Sequence, residues 1–164
     1  MGTTAVILTK KVTYSHEKLL NDISVATNHA GINMHIDNYQ HLTLEGDFSY
    51  RTLNISTDKV LSEDSSHSLL MYVHSNSNPS IDFYYYNDLD LDNELSLVQV
   101  GHIEEIFGVQ HLLLDFVYEY LKVNQNDYLW ITDYDWVYGC EEISKLKMMS
   151  SYDANWCYKN PKEM

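Results

Sequence analysis

Residues 109–123, VQHLLLDFVYEYLKV, carry the pattern that decides the fold. His111, Asp115, Glu119 and Lys122 follow one another at helical spacing and make a single narrow polar stripe. Leu112, Leu113, Phe116, Val117, Tyr120 and Leu121 cover the rest of the surface, so the segment predicts a helix that is mostly buried. A helix of that kind needs an apolar layer to lie against, and the sequence on either side supplies strands.

Upstream, residues 4–12 (TAVILTKKV) read as a strand. Leu19, Leu20, Ile23, Ala26 and Ala30 then recur at helical spacing before Gly31, which suits a helix C-terminus. His41 to Glu45 and Phe48 to Ser56 alternate in polarity around Gly46-Asp47 and predict a hairpin. Leu69 to His74 and Ile81 to Tyr86, separated by SNSNPS, predict a second. Leu95 to Val100 is a further strand candidate. Downstream of the helix, Tyr128 to Thr132 suggests a return strand, and Glu141 to Met149 a short helix. The expectation is an α+β fold: an antiparallel or mixed sheet of five to seven strands, with two or three helices packed mainly on one face. A chain of 164 residues, with no internal repeat and only six glycines and two prolines, reads as one domain over 1–164, irregular over 150–164.

The net charge of −14 is unevenly placed. Residues 1–81 hold eight acids and five bases, and residues 143–164 hold two acids and four bases. Residues 82–142 hold fourteen acids against one base, Lys122, which is a local −13. A field of that sign repels nucleic acid and anionic membrane and speeds encounter with cationic proteins. Cys140 and Cys157 are too few for a disulfide framework or a zinc site, which suits a reduced, cytoplasmic setting. The first twenty residues lack the order of a secretory signal, Met1-Gly2 lacks the downstream hydroxyl of a myristoylation signal, and no run is long enough to span a membrane.

The catalytic patterns are incomplete. Asp88, Asp90, Asp92 and Glu94 begin like a calcium loop, but Asn93 and Gln99 stand where an EF-hand needs Gly and Glu. An exposed edge with acids outward and leucines inward is the simpler account. His35, Asp37, His41 and Thr43 offer weak metal or phosphoesterase chemistry, with His41-Leu-Thr43 giving half of a two-histidine H-x-T pair whose second copy is missing. His102 and Glu105 would share a face if they were helical. Glu141 and Glu142 beside Cys140 disfavour its thiolate. No G-x-S-x-G, P-loop or G-x-G-x-x-G motif occurs. No metal or cofactor is expected.

The remaining pattern mixes acid with aromatic side chains. Tyr84, Tyr85 and Tyr86 adjoin Asp88, Asp90, Asp92 and Glu94, and Asp133, Tyr134, Asp135 and Trp136 repeat the mixture. Rigid aromatic area together with carboxylate acceptors suits recognition of a basic protein. Were residues 128–138 one extended run, Tyr128, Trp130, Tyr134, Trp136 and Tyr138 would share a face and could instead pack inward. The functional expectation is a non-catalytic binding module that neutralises a basic partner, an immunity protein against a nuclease-type toxin. The alternatives are a DNA-mimic inhibitor and a small metal- or histidine-dependent phosphoesterase. Neither direct nucleic-acid binding nor membrane association is expected.

Overall fold

The run Ala5-Val6-Ile7-Leu8 is apolar on both sides of the chain, the mark of a strand covered on both faces. In the computed structural model these residues are at most 1% exposed, and they form the core of β1 (Ala5–Lys10). The structure describes residues 3–42, 44–46, 48–57, 68–75, 97–134 and 136–163, with side chains at 38–41 and 48 left aside. β1 lies between β5 (Leu97–Ile103) and β6 (Tyr128–Ile131), antiparallel to both. Outward on one side come β4 (Ser68–His74), β3 (Phe48–Ser56) and β2 (Asn33–Leu42), and on the other β7 (Trp136–Tyr138). Among the described residues the sheet has seven strands in the order β2-β3-β4-β5-β1-β6-β7, and every described pairing is antiparallel. With three α-helices among the described residues the fold is α+β, as the sequence predicts.

The helices form at the expected places. α1 (His16–Ala30) starts where the Ser15 side chain accepts a hydrogen bond from the Lys18 amide, and it buries Leu19, Ile23, Ala26 and Thr27. It ends at Gly31, whose φ of 71° lets its N–H reach Asn28 O while Ile32 N–H reaches Thr27 O. α2 (Gln110–Val123) buries every apolar position expected of it, and Leu114 besides. It packs between α1 and α3 (Cys140–Lys147) over the sheet. The tail carries two short 3-10 turns, Trp156–Tyr158 and Pro161–Glu163. Trp156 is 1% exposed, and its indole N–H donates to Gln110 O at 3.0 Å. The Tyr138 hydroxyl ties the same tail to β7 through Trp156 O at 3.0 Å and Lys159 O at 2.6 Å.

The two faces of the sheet have different tasks. Leu53, Ile55, Leu69, Met71, Val73, Val98, Val100 and Ile103 meet the helices in the main core. Val6, Leu8, Leu97 and Trp130 form a smaller cluster on the other face. β5 reaches both sides through a bulge: Ile7 is opposite Gly101 but Leu8 is opposite Gln99, so Val100 is an extra residue. A Cβ at position 101 would sit 3.4 Å from Ile7 Cδ1 and 3.6 Å from Met71 Sδ, so glycine there permits close packing on the helix face. Beyond the bulge, His102 lies opposite Val6 and Tyr72, on the face away from the helices.

Three expectations change. The first hairpin exists, but its leading strand runs from Asn33, earlier than His41. β2 is at the edge of the described sheet and rich in Asn, His, Asp and Gln, and it needs no strong apolar alternation. Residues 128–138 do not form one extended run. A turn after Ile131 folds them into the β6–β7 hairpin, which pairs Leu129 with Tyr138 and Ile131 with Trp136. Tyr128 and Trp130 therefore join the smaller cluster, while Trp136 and Tyr138 join the main core. Finally, His102 is in a strand and Glu105 in the loop after it, so they share no helix face. β4 lies between β3 and β5, and the Ile81–Tyr86 arm of the second expected hairpin lies outside the described residues. Among the described residues no helix is long and apolar enough to cross a membrane.

Candidate functional site

The two residues just before β1 hold two loops together. Thr3 O accepts from Ile106 N at 2.9 Å, and Thr4 O accepts from both Thr132 N and Thr132 Oγ1 at 3.1 Å. The β5–α2 loop and the β6–β7 turn are thereby fixed on either side of the same two threonines. The first loop brings Glu104, Glu105 and Phe107, and the turn brings Asp133 and Tyr134. All five are exposed, Phe107 by 73% and Tyr134 by 44%. Large apolar area left in water beside carboxylates is characteristic of a surface made for contact.

Local structure holds these groups in place. Glu105 has φ of 29°, an uncommon conformation for a residue with a side chain, and its carboxylate accepts from Phe107 N at 3.3 Å. Gly108, at φ 85°, completes the turn into α2. Tyr134 stacks on Trp136 with ring centres 6.0 Å apart and meets Tyr158 edge-on at 5.7 Å. The Tyr158 hydroxyl in turn accepts from Gln110 Nε2 at 3.3 Å. The Trp136 indole nitrogen is buried without a hydrogen-bond partner among the described residues.

Among the described residues, folding thins the acidic segment. Asp115 is bonded to Lys147, Glu119 to Lys122 at 2.9 Å, and Glu141 to Lys145 at 3.2 Å. Glu142 accepts from Gly139 N at 3.0 Å and so closes the start of α3. Asp127 is 7% exposed and accepts from Thr9 Oγ1 and Tyr120 Oη, each at 2.7 Å. Burial raises the pKa of its carboxyl, against the lowering effect of those two hydrogen bonds. Of the described acids between 97 and 142, Glu104, Glu105, Asp127, Asp133 and Glu142 are in no ion pair with a described residue; Asp127 is buried and Glu142 caps α3, which leaves Glu104, Glu105 and Asp133 exposed at the rim around Thr3 and Thr4.

A groove on the face away from the helices opens beside Glu104. Its volume is about 320 Å³, and Thr4, Tyr50, Tyr72, His74, His102 and Glu104 line it. Strand register brings them together: Tyr50 is opposite His74, Tyr72 is opposite His102, and Tyr72 and His74 are two apart on β4. The rings meet in sequence, with centres 5.6 Å apart for Tyr72 and Tyr50, 6.3 Å for Tyr50 and His74, and 4.7 Å for His74 and His102. Burial, with a smaller effect from His102, lowers the His74 pKa to about 4, and burial lowers that of His102. Both imidazoles are therefore neutral at pH 7. Burial and the Glu104 carboxylate, which hydrogen-bonds the Tyr72 hydroxyl, raise the tyrosine's pKa.

Asp133, Tyr134 and Trp136 are thus side by side, with Asp133 and Tyr134 outward and Trp136 half-buried against the core. Tyr84, Tyr85, Tyr86, Asp88, Asp90, Asp92, Glu94 and Asp135 lie outside the described residues. His35 and Asp37 alternate on edge strand β2, whereas the His41 side chain and Thr43 also lie outside them. Among the described residues no group of three or more His, Cys, Asp or Glu could hold a metal ion. The Cys157 thiol is buried, which pushes its pKa up to about 11. The sequence reading missed the groove and the Glu104–Phe107 loop. Alternation in Tyr72-Val73-His74 marks one polar face, but only register places Tyr50 and His102 beside it. Compared with protein-family models, with curated protein sequences and with solved structures, the chain matches none.

Proposed function

We propose that this chain is a non-catalytic binding module that neutralises a basic protein, with the rim of Glu104, Glu105, Phe107, Asp133 and Tyr134 as its contact surface. The supporting observation is the attachment of both loops to Thr3 and Thr4, which gathers exposed carboxylates, in no ion pair with a described residue, around two exposed aromatic rings. Carboxylates steer a cationic partner and accept its hydrogen bonds, while the rings supply contact area with little rotamer entropy to lose. A nuclease-type toxin, basic because it must hold nucleic acid, is the partner class that this chemistry fits, and the chain would act as its immunity protein. A DNA mimic would instead need carboxylates spaced along a phosphate-like track. The described carboxylates cluster around rings, which favours the first reading.

The test is capture of a basic protein by the immobilised chain, followed by association kinetics at several salt concentrations. Binding through the rim requires an association rate that falls steeply between low and physiological salt. Recovery of no basic partner, or of one whose association rate ignores salt, overturns the reading.

A further inference from the structure

The open-face groove is a second chemical environment, contiguous with the rim through Glu104 and Thr4. Three features limit what could enter it. Its described lining holds no lysine or arginine, and its only carboxylate is Glu104. Its walls are ring systems set at steep angles to one another, 82° between Tyr50 and Tyr72 and 82° between His74 and His102, so both ring edges and ring faces border the space. Arg51, next to Tyr50 on β3, is paired with core residue Val73 and so by alternation belongs to the helix face. An anion would meet Glu104 with no compensating cation in the described lining. A purely apolar occupant would leave that carboxylate and the imidazole nitrogens facing it.

From this geometry we infer that the groove lined by Tyr50, Tyr72, His74, His102 and Glu104 is a guanidinium site that receives an arginine side chain. The inference rests on the proposed binding of a basic protein and names the side chain that anchors it. A guanidinium is flat, weakly hydrated and permanently charged, so it can lie on tyrosine rings while its N–H groups reach a carboxylate. Glu104 accepts those N–H bonds, with the Tyr72 hydroxyl already bonded to it and holding it at the groove edge. The two imidazoles, neutral at pH 7, add acceptor nitrogens and no repelling charge. A lysine ammonium has the charge but not the plane, and it is held less well by the rings. Glu104 belongs to both groove and rim, so an arginine seated here places the rest of a cationic surface against Glu105, Phe107, Asp133 and Tyr134.

The experiment titrates the whole chain at pH 7.5 with Nα-acetyl-arginine N-methylamide while the histidine ring resonances are followed by NMR. The expected result is saturable movement of the His74 and His102 signals, assigned with His74→Asn and His102→Asn, at millimolar ligand, as a single side chain warrants. The neutral isostere Nα-acetyl-citrulline N-methylamide should bind at least fivefold more weakly, and so should the arginine probe to Glu104→Gln. Tyr50→Leu, which removes a ring and leaves the charge, should weaken it as well. Equal binding of citrulline, no movement at tens of millimolar, or unchanged affinity in both Glu104→Gln and Tyr50→Leu overturns the site. The small probe keeps the two ideas apart. Arginine binding without any basic protein partner would leave the site standing and sink the proposed function, whereas a salt-steered partner bound equally well by Glu104→Gln and Tyr50→Leu would do the reverse.

Discussion

His74 shows what one side chain can impose on the whole chain. Its imidazole is held near pKa 4 in the folded state against about 6.5 in the unfolded chain. Below pH 6.5 the unfolded state takes up the proton first, so stability falls as the pH drops from 6.5 to 4 and then levels off. The loss is at most roughly 3 kcal/mol, reduced by water at the groove mouth. His102 acts in the same direction, while Tyr50, Tyr72 and Glu104 are the other ionisable groups lining this space. Urea midpoints of the wild type measured at pH 7.5 and 4.5 should differ more than those of His74→Asn; equal differences would mean that burial does not govern this titration. Asp127 makes the opposite kind of demand. Its carboxylate serves two donors, Thr9 and Tyr120, so Asp127→Ala strands the buried Tyr120 hydroxyl and the half-buried Thr9 hydroxyl and should cost about 2–4 kcal/mol in denaturant unfolding. A loss under 0.5 kcal/mol, by the same criterion, would show that water replaces it freely.

Among the elements, α1 ends by backbone geometry alone. Nothing lies within 4 Å of a Cβ placed on Gly31, but φ of 71° is strained for any other residue except Asn or Asp. Gly31→Ala should therefore destabilise by about 1 kcal/mol, and Gly31→Asn by less, in thermal unfolding. The elements also explain what could be read in advance. α2 was legible because Leu112, Leu113, Phe116, Val117, Tyr120 and Leu121 are all buried, leaving a stripe that keeps helical period. β4 was legible because Leu69, Met71 and Val73 alternate with half-buried neighbours. β2 was not, since a strand at the edge of the described sheet can carry polar residues at alternate and adjacent positions while its pairing with β3 rests on backbone hydrogen bonds. The candidate site was half legible. Tyr134 and Trp136 announce themselves by composition, whereas Glu104 gains its meaning only from the groove that it lines with Thr4, a hundred residues away in the chain.

At the scale of the molecule, most of the described acids between 97 and 142 are taken up in local pairs, caps or burial, so steering of a basic partner through the rim should rest on few groups. Replacing Glu104 and Glu105 by Gln and Asp133 by Asn together should slow association with the captured basic protein by about tenfold at low salt and much less at high salt. The melting temperature should change little, because all three side chains are exposed. A triple variant that associates at the wild-type rate would move the contact surface elsewhere on the chain.

The extra residue in β5 has a reach beyond its strand. Up to Gln99 the inward and outward positions alternate in one phase, and from Gly101 onward they alternate in the other. Inserting Val100 is thus a frame shift written in geometry: it turns Ile103 toward the helices and His102 toward the groove, where an uninterrupted strand would do the reverse. No change of residue type at a neighbouring position could exchange those two sides. A change of length by one could.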